Sequence, residues 1–344
     1  MGGPSVPIDR RRLLAAGAGL ALAGLVPGRA RGQEMRLFRI GTGGIAGTYY
    51  PIGGLIAAVI SQPPGARTCE EGGSCGVPGL VAIVQSSNGS VDNVDGIADG
   101  RLESGFVQSD IAYGAYTGTG AFADREAVPG LRALASLYVE SMQLVVRAES
   151  GIDTVADLRG RRVSLDSRGS GTQIDALLVL AAFGLGVEDV DALYVKPEQS
   201  IRLMAAGELD AFFIVAGYPT PSVLETTGEQ GARLVPIDGP EIDALIEQYP
   251  FFSHNLIPPG LYRGVPATPT LAVLAQWLVH ERLDANLAHD ITAALWHPTH
   301  RSVLDTGHVK GREITLETAL DGLGIPLHPG AERFYREIGA LTLD

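Results

Sequence analysis

The sequence predicts an α/β protein of two lobes hinged like a clamshell. Short apolar strands alternate with helical segments of about 10 residues, the pattern of parallel sheets with crossover helices. Glycine-rich turns recur between a strand and a helix in both halves. Extended segments stand where the chain would pass between lobes. Taken in order, 37–40 reads as a strand, 50–60 as a helix and 92–102 as helical. Segment 143–146 reads as a buried strand, then 162–165 (strand), 172–183 (helix), 193–195 (strand), 199–206 (helix) and 211–215 (strand). Past Pro259 the spacing turns helical, over 271–280, 285–296 and 314–320. This places one lobe at 36–140 plus 253–344 and the other at 141–252, with crossings near 137–146 and 255–262. No period of 20–50 residues recurs, which argues against a solenoid.

The first residues predict export. Asp9-Arg10-Arg11-Arg12-Leu13-Leu14 opens an apolar run from Leu13 to Val26, and Ala30-Arg31-Gly32 supplies small residues for cleavage near Gln33. That is a signal peptide over 1–32, and the paired arginines fit a twin-arginine address as well as the general route. The run spans about 14 residues against the roughly 20 that cross a bilayer, so a cleaved signal fits better than an anchor. The whole chain carries −13; without the +4 of residues 1–32 the remainder carries −17, with Lys196 and Lys310 as the only lysines. Such an acidic surface repels phosphate backbones, which excludes nucleic acid as a partner.

Two cysteines, Cys69 and Cys75, stand close together. In an oxidising compartment a local disulfide is the first reading; two thiols alone make half a zinc site, so no metal is expected.

Gly41-Thr42-Gly43-Gly44-Ile45-Ala46-Gly47 lies between a strand and a helix. It matches a loose dinucleotide fingerprint, but a loop, Ser61-Gln62-Pro63-Pro64-Gly65, occupies the place of the acidic strand end that a nucleotide needs. What remains is a backbone that a ligand can approach and free amides that attract an anion. Asp166-Ser167-Arg168-Gly169-Ser170-Gly171-Thr172 repeats the arrangement in the second lobe. It reads either as a ligand cradle or as an ordinary turn capped by Thr172. Arg168 either enters the cleft to meet a ligand anion or points to solvent. Ser86-Ser87-Asn88-Gly89-Ser90 precedes a helix, and Gln108-Ser109-Asp110 and Gly217 follow strands, positions that suit either caps or ligand contacts. Asn88-Gly89-Ser90 also fits the glycosylation pattern.

Catalysis finds no support in the residues. Gly72-Gly73-Ser74-Cys75-Gly76 fits G-x-S-x-G as text, but no buried strand leads into it. All seven histidines lie between 254 and 328 without H-E-x-x-H, and Pro298 breaks the spacing between His297 and His300. These histidines are expected at the surface or in helix caps.

Several segments together resemble the TAXI solute receptors of TRAP (tripartite ATP-independent periplasmic) transporters. They are Ile40-Gly41-Thr42-Gly43-Gly44 with Gly47-Thr48-Tyr49-Tyr50-Pro51, Gly89-Ser90-Val91-Asp92-Asn93, Gln108-Ser109-Asp110 and Asp157-Leu158-Arg159-Gly160-Arg161-Arg162-Val163. Gly169-Ser170-Gly171-Thr172, Asp210-Ala211-Phe212-Phe213, Ile257-Pro258-Pro259-Gly260-Leu261-Tyr262 and Pro326-Leu327-His328-Pro329-Gly330-Ala331 continue it. The resemblance implies a type II periplasmic-binding-protein fold and a periplasmic protein that closes on its ligand and docks on ion-gradient-driven permease subunits. It implies ligands such as glutamate, glutamine or a dicarboxylate, contacted by Gly43, Tyr50, Ser90, Gln108, Asp110, Gly171, Thr172 and Gly217, with Arg168 as a further candidate. The loop holding Cys69 and Cys75 and the charge at Arg168 depart from that pattern. The expectation is a monomer without cofactor that captures a small anion by hinged closure. The alternatives are a receptor for an ATP-driven importer or for a sensor; a periplasmic enzyme is disfavoured.

Overall fold

The computed structural model describes residues 35–341 and Gly2, so the expected signal over 1–32, Gly2 apart, lies outside the described residues. Twelve strands are β1 (Arg36–Gly41), β2 (Ser61–Gln62), β3 (Val77–Pro78), β4 (Leu80–Gln85), β5 (Ser104–Gln108), β6 (Leu131–Val146), β7 (Arg162–Ser164), β8 (Asp191–Leu193), β9 (Ala211–Ala216), β10 (Arg233–Val235), β11 (Ser253–Ile257) and β12 (Thr268–His280). Helices are α1 (Tyr49–Ile60), α2 (Ser90–Ala98), α3 (Ser109–Thr117), α4 (Gly171–Ala182) and α5 (Pro197–Ala205). Then follow α6 (Pro221–Glu229), α7 (Pro240–Gln248), α8 (Ala285–Leu295), α9 (Arg301–Gly307) and α10 (Pro329–Glu337).

Eight strands run in the order β4-β1-β5-β12-β6-β9-β7-β8, with β10 on β6 and β11 on β12. The flanks are parallel, β1 with β4 and β5, and β7 with β8 and β9. The two long strands between them, β6 and β12, pair antiparallel. Apolar burial shows what they join. Leu134 to Tyr138 of β6 pack with α1, α8 and α10, and Leu131 and Ala133 with α2 and α3, whereas Met142 to Val146 pack with α4, β9 and the 235–252 region. On β12, Leu271 and Val273 belong to the second set, and Ala275, Trp277, Leu278 and Val279 to the first. Each long strand therefore starts in one hydrophobic core and ends in another, which makes the pair a two-stranded link between lobes.

Three sequence expectations change. Segment 271–280, read as helical, is the inner strand β12, hydrogen-bonded to β5 on one side and β6 on the other. Its run Leu271-Ala272-Val273-Leu274-Ala275 is covered on both faces, so the alternation that marks a half-buried strand is missing. The return crossing moves with it: Ile257, Tyr262 and Val265 sit in the second lobe's core, and the chain goes back along β12 rather than over 255–262. Segment 314–320, also read as helical, is a series of turns. There Thr318 donates to the Glu313 carbonyl at 3.1 Å, the kind of local bond by which threonine competes with helix.

Cys69 and Cys75 form the disulfide, with Cα atoms 4.5 Å apart. His297 lies beside it, but with both thiols oxidised the trio offers no metal site. His297, His308 and His328 cap the turns that follow them, each accepting a backbone N–H at its Nδ1. No helix among the described residues is long and apolar enough to cross a membrane.

Candidate functional site

The carboxyl ends of β1, β4, β5, β7 and β9 all open onto one cleft between the lobes, the place where open α/β sheets bind ligands. The cavity there encloses about 40 Å³ and is lined from both sides. From the first lobe come Gly43, Gly44, Gly47, Thr48 and Tyr49 at the start of α1, Asn88, Gly89 and Ser90 at the start of α2, and Gln108 at the end of β5. From the second come Asp166, Ser170, Gly171 and Thr172 around the start of α4, Pro197 at the start of α5, and Ile214 to Ala216 at the end of β9. Glu140, on the linking strand β6, forms part of the wall.

The lobes are closed on one another. The amides of Val91 and Asp92 both donate to the Gly169 carbonyl at 3.1 Å, so the second lobe's loop caps the first lobe's α2. Ser222 N–H donates to the Ala46 carbonyl at 3.0 Å, and the Thr48 hydroxyl donates to the Gly217 carbonyl. Gln108 fits against the bare backbone of Gly171 so closely that a Cβ there would lie 1.2 Å from Gln108 Oε1. A glycine is required at 171 for closure, not for backbone freedom.

Helix geometry supplies the attraction for an anion. The first amides of a helix point along its axis and lack intrahelical acceptors. Those of Tyr49 and Tyr50 in α1, and of Gly171 and Thr172 in α4, have no acceptor among the described residues. The two helix starts belong to opposite lobes and meet at the cavity. Thr172 anchors its turn, its hydroxyl accepting the Val215 N–H at 3.0 Å.

Buried carboxyls give the site its second chemistry. Glu140 is 1% exposed and accepts a hydrogen bond from the Tyr49 hydroxyl at 2.7 Å. Burial is the largest influence on it, and its pKa is pushed up to about 8 even though the Tyr49 bond and buried Lys310 pull the other way. Asp166 sits at φ 69° and takes the Ser167 N–H at 2.6 Å; burial pushes it up to about 7. Lys310 is 1% exposed behind the cleft, its ammonium 2.7 Å from Glu313 and 4.0 Å from the centre of the Tyr218 ring.

Of the residues singled out from sequence, the structure brings Gly43, Ser90, Gln108, Gly171 and Thr172 to the cavity wall. Tyr50 does not line it; its neighbour Tyr49 does, because α1 starts one residue earlier than expected. Asp110 lies outside the wall, in the first turn of α3 facing Asp175 of α4. Gly217 also stands behind the wall, where a Cβ would meet Lys310 Cγ at 2.7 Å and Tyr138 at 2.8 Å. Arg168 points out: it is exposed and stacks on Tyr194, with its guanidinium 3.7 Å from the ring centre. Of the two positions left open for it, the structure takes the solvent-facing one.

Sequence reasoning missed Tyr49, Glu140, Asp166 and Asp175. Two signals were present. Glu140 is a lone carboxylate within the apolar stretch 131–146, and Asp175 sits beside Ala176, Val179 and Leu180 on the buried face of α4. A charge in such a place is either paired or functional.

The architecture is that of the two-lobed periplasmic binding proteins. The chain belongs to the NMT1-like family, which it matches over residues 40–339. PhnD1 from Prochlorococcus marinus, solved with methylphosphonate, is 10% identical at TM-score 0.50, with 89% of this chain and 99% of that chain covered. A Bordetella bronchiseptica RB50 protein is 17% identical at TM-score 0.50, with 90% of each chain covered. The alkanesulfonate-binding protein SsuA from Xanthomonas axonopodis pv. citri, bound to MOPS, is 19% identical at TM-score 0.40, with 88% of this chain and 84% of that chain covered. The two likenesses at TM-score 0.50 show the fold alone.

Proposed function

We propose that the chain is a periplasmic solute-binding protein that traps a small anionic ligand by closing its two lobes. One observation carries this reading: two helix starts with free amides, one from each lobe, converge on a single interlobe cavity. An anion held there is bound by both lobes only in the closed state, so it stabilises closure by differential contact. Hydrogen bonds to a charged group contribute roughly 1.5–3 kcal/mol each, and a micromolar ligand needs about 8 kcal/mol, so a few such bonds suffice.

The carboxyls narrow the ligand class. With Glu140 and Asp166 in the wall and Arg168 turned outward, a second carboxylate on the ligand meets no cation among the described wall residues. An ammonium does have partners there. The reading is therefore an α-amino acid, with its carboxylate on the helix starts and its ammonium toward Glu140, in preference to a dicarboxylate. A singly headed phosphonate or sulfonate is the second reading; it fits the same helix starts, and a protein of this fold was solved with methylphosphonate.

The partner is the membrane part of an importer. Family and fold favour the receptor of an ATP-driven importer over a TRAP receptor; support for the TRAP partner comes from the TAXI-like motifs around Gly43, Gln108 and Gly171 alone. A neighbouring ATPase gene favours the first partner, and a large multi-span permease gene without one favours the second. The test of ligand class is thermal unfolding of the purified chain against amino acids, dicarboxylates, methylphosphonate and alkanesulfonates. A micromolar ligand at millimolar concentration adds about 4 kcal/mol. An upward shift with amino acids alone supports the reading; a shift with dicarboxylates alone refutes it.

A further inference from the structure

Asp110 and Asp175 take no part in the cavity wall, yet they meet across the lobe boundary. Asp110 lies in the first turn of α3, beside Ile111 and Ala112 of the first lobe's core. Asp175 lies in α4, beside Ala176 and Val179 of the second lobe's core, and is 1% exposed. Gln108 Nε2 donates to Asp175 Oδ2 at 3.0 Å, from one lobe to the other. That leaves Oδ1 of Asp110 and Oδ1 of Asp175, both sealed from solvent and neither accepting from any N–H or O–H of the described residues. Gln108, which holds Asp175, stands two residues before Asp110, and each carboxyl acts on the proton affinity of the other. Two ionised carboxylates have no proton to share and repel; one proton between them satisfies both oxygens.

We propose that the closed form binds one proton between Asp110 and Asp175, and that closure of the lobes takes this proton up from solvent. The inference rests on the clamshell reading and not on any particular ligand. In the open form the carboxyls separate, regain water and return to the ordinary range near 4. In the closed form burial pushes Asp110 up to about 6, and burial with the neighbouring carboxyl pushes Asp175 well above its usual value. The other charged group facing the pair is Glu140 on β6, which raises Asp175 further. Among the described residues no cation acts on either carboxyl, and Asp110 borders an apolar cavity of about 670 Å³, lined by such residues as Tyr113, Phe122, Ile174, Leu177 and Phe251. The sign follows directly. Wherever the closed state holds one proton more than the open state, the closed-to-open ratio falls tenfold for each pH unit.

The decisive experiment needs no ligand. Small-angle X-ray scattering of the purified chain from pH 4.5 to 8 reads closure as the radius of gyration. The expected result is a compact wild type at low pH that expands as pH rises, while Asp175→Asn and Asp110→Asn each stay compact throughout. Asparagine donates the hydrogen bond that the shared proton makes, and it has no proton to lose. Carbon-detected NMR titration of the wild-type aspartate carboxyls gives a second reading if either variant fails to fold, with two resonances titrating well above 4. A wild-type radius that does not change with pH, or both carboxyls titrating near 4, overturns the proposal. Failure of every candidate ligand to bind leaves these readings intact and bears only on the ligand class.

Discussion

Replacing Gly171 with alanine separates folding from closure. Gly171 opens α4 at an ordinary backbone angle, where alanine is a good helix former, so the lobe itself should tolerate the change. In the closed state the added Cβ would sit 1.2 Å from Gln108 Oε1, 2.4 Å from Gln108 Cδ and 3.0 Å from Ser90 Oγ. Gln108 must then leave its position, and two hydrogen bonds go with it. One runs to Asp175 at 3.0 Å and the other comes from Ser90 at 3.3 Å. A bond to an acidic group contributes about 1.5–3 kcal/mol and a long neutral one about 0.5–1 kcal/mol. The closed state should lose about 2–4 kcal/mol, and ligand affinity should fall about 30- to 700-fold. Calorimetry with the ligand found by thermal shift measures the affinity, and scattering measures closure. Gly54→Ala, in α1 with open space around it, is the control and should bind like the wild type. Wild-type affinity in the Gly171→Ala protein would refute the claim that lobe contact at Gln108 is part of ligand capture.

Three other changes test separate parts of the structure. Glu140→Gln keeps the Tyr49 hydrogen bond but cannot ionise when a ligand ammonium approaches, as Glu140 can; it should weaken an amino acid about 10- to 150-fold in calorimetry and leave methylphosphonate unaffected. The same substitution alters stability in a known direction. A carboxyl whose folded pKa is raised stabilises below the unfolded value near 4 and loses that contribution up to about pH 8, so Glu140→Gln should flatten denaturant stability over this range. Asp210 is the opposite case: hydrogen bonds from Arg162, with Arg147 nearby, lower it to about 2. Its contribution is present above about pH 4 and lost as pH falls toward 2, and Asp210→Asn should cost about 1–2 kcal/mol at pH 7 after allowance for the half-exposed arginines. Opening the Cys69–Cys75 loop by Cys69→Ser with Cys75→Ser should cost about 2 kcal/mol in reversible unfolding and leave ligand affinity unchanged, since neither cysteine touches the cleft.

By itself the sequence determined the elements whose signals are local. Strand–glycine turn–helix units at 41–47 and 169–172 announced the two helix starts that line the interlobe cavity, because close backbone approach needs glycine and helix starts need caps. The short cysteine loop announced its own disulfide, since no long-range information was needed. Tertiary structure decided what depends on neighbours. Strand β12 looked helical because an inner strand is apolar on both faces and carries no period-two signal. Arg168 was placed by the ring of Tyr194, which lies far from it in the sequence. Tyr49 replaced Tyr50 because helix phase at a start depends on which turn residue begins the hydrogen-bond ladder. Glu140, Asp166 and Asp175, scattered over three elements, became one set of buried carboxyls only when β6 and β12 brought the lobes together. Their proton affinities are properties of that burial, and no residue type carries them alone.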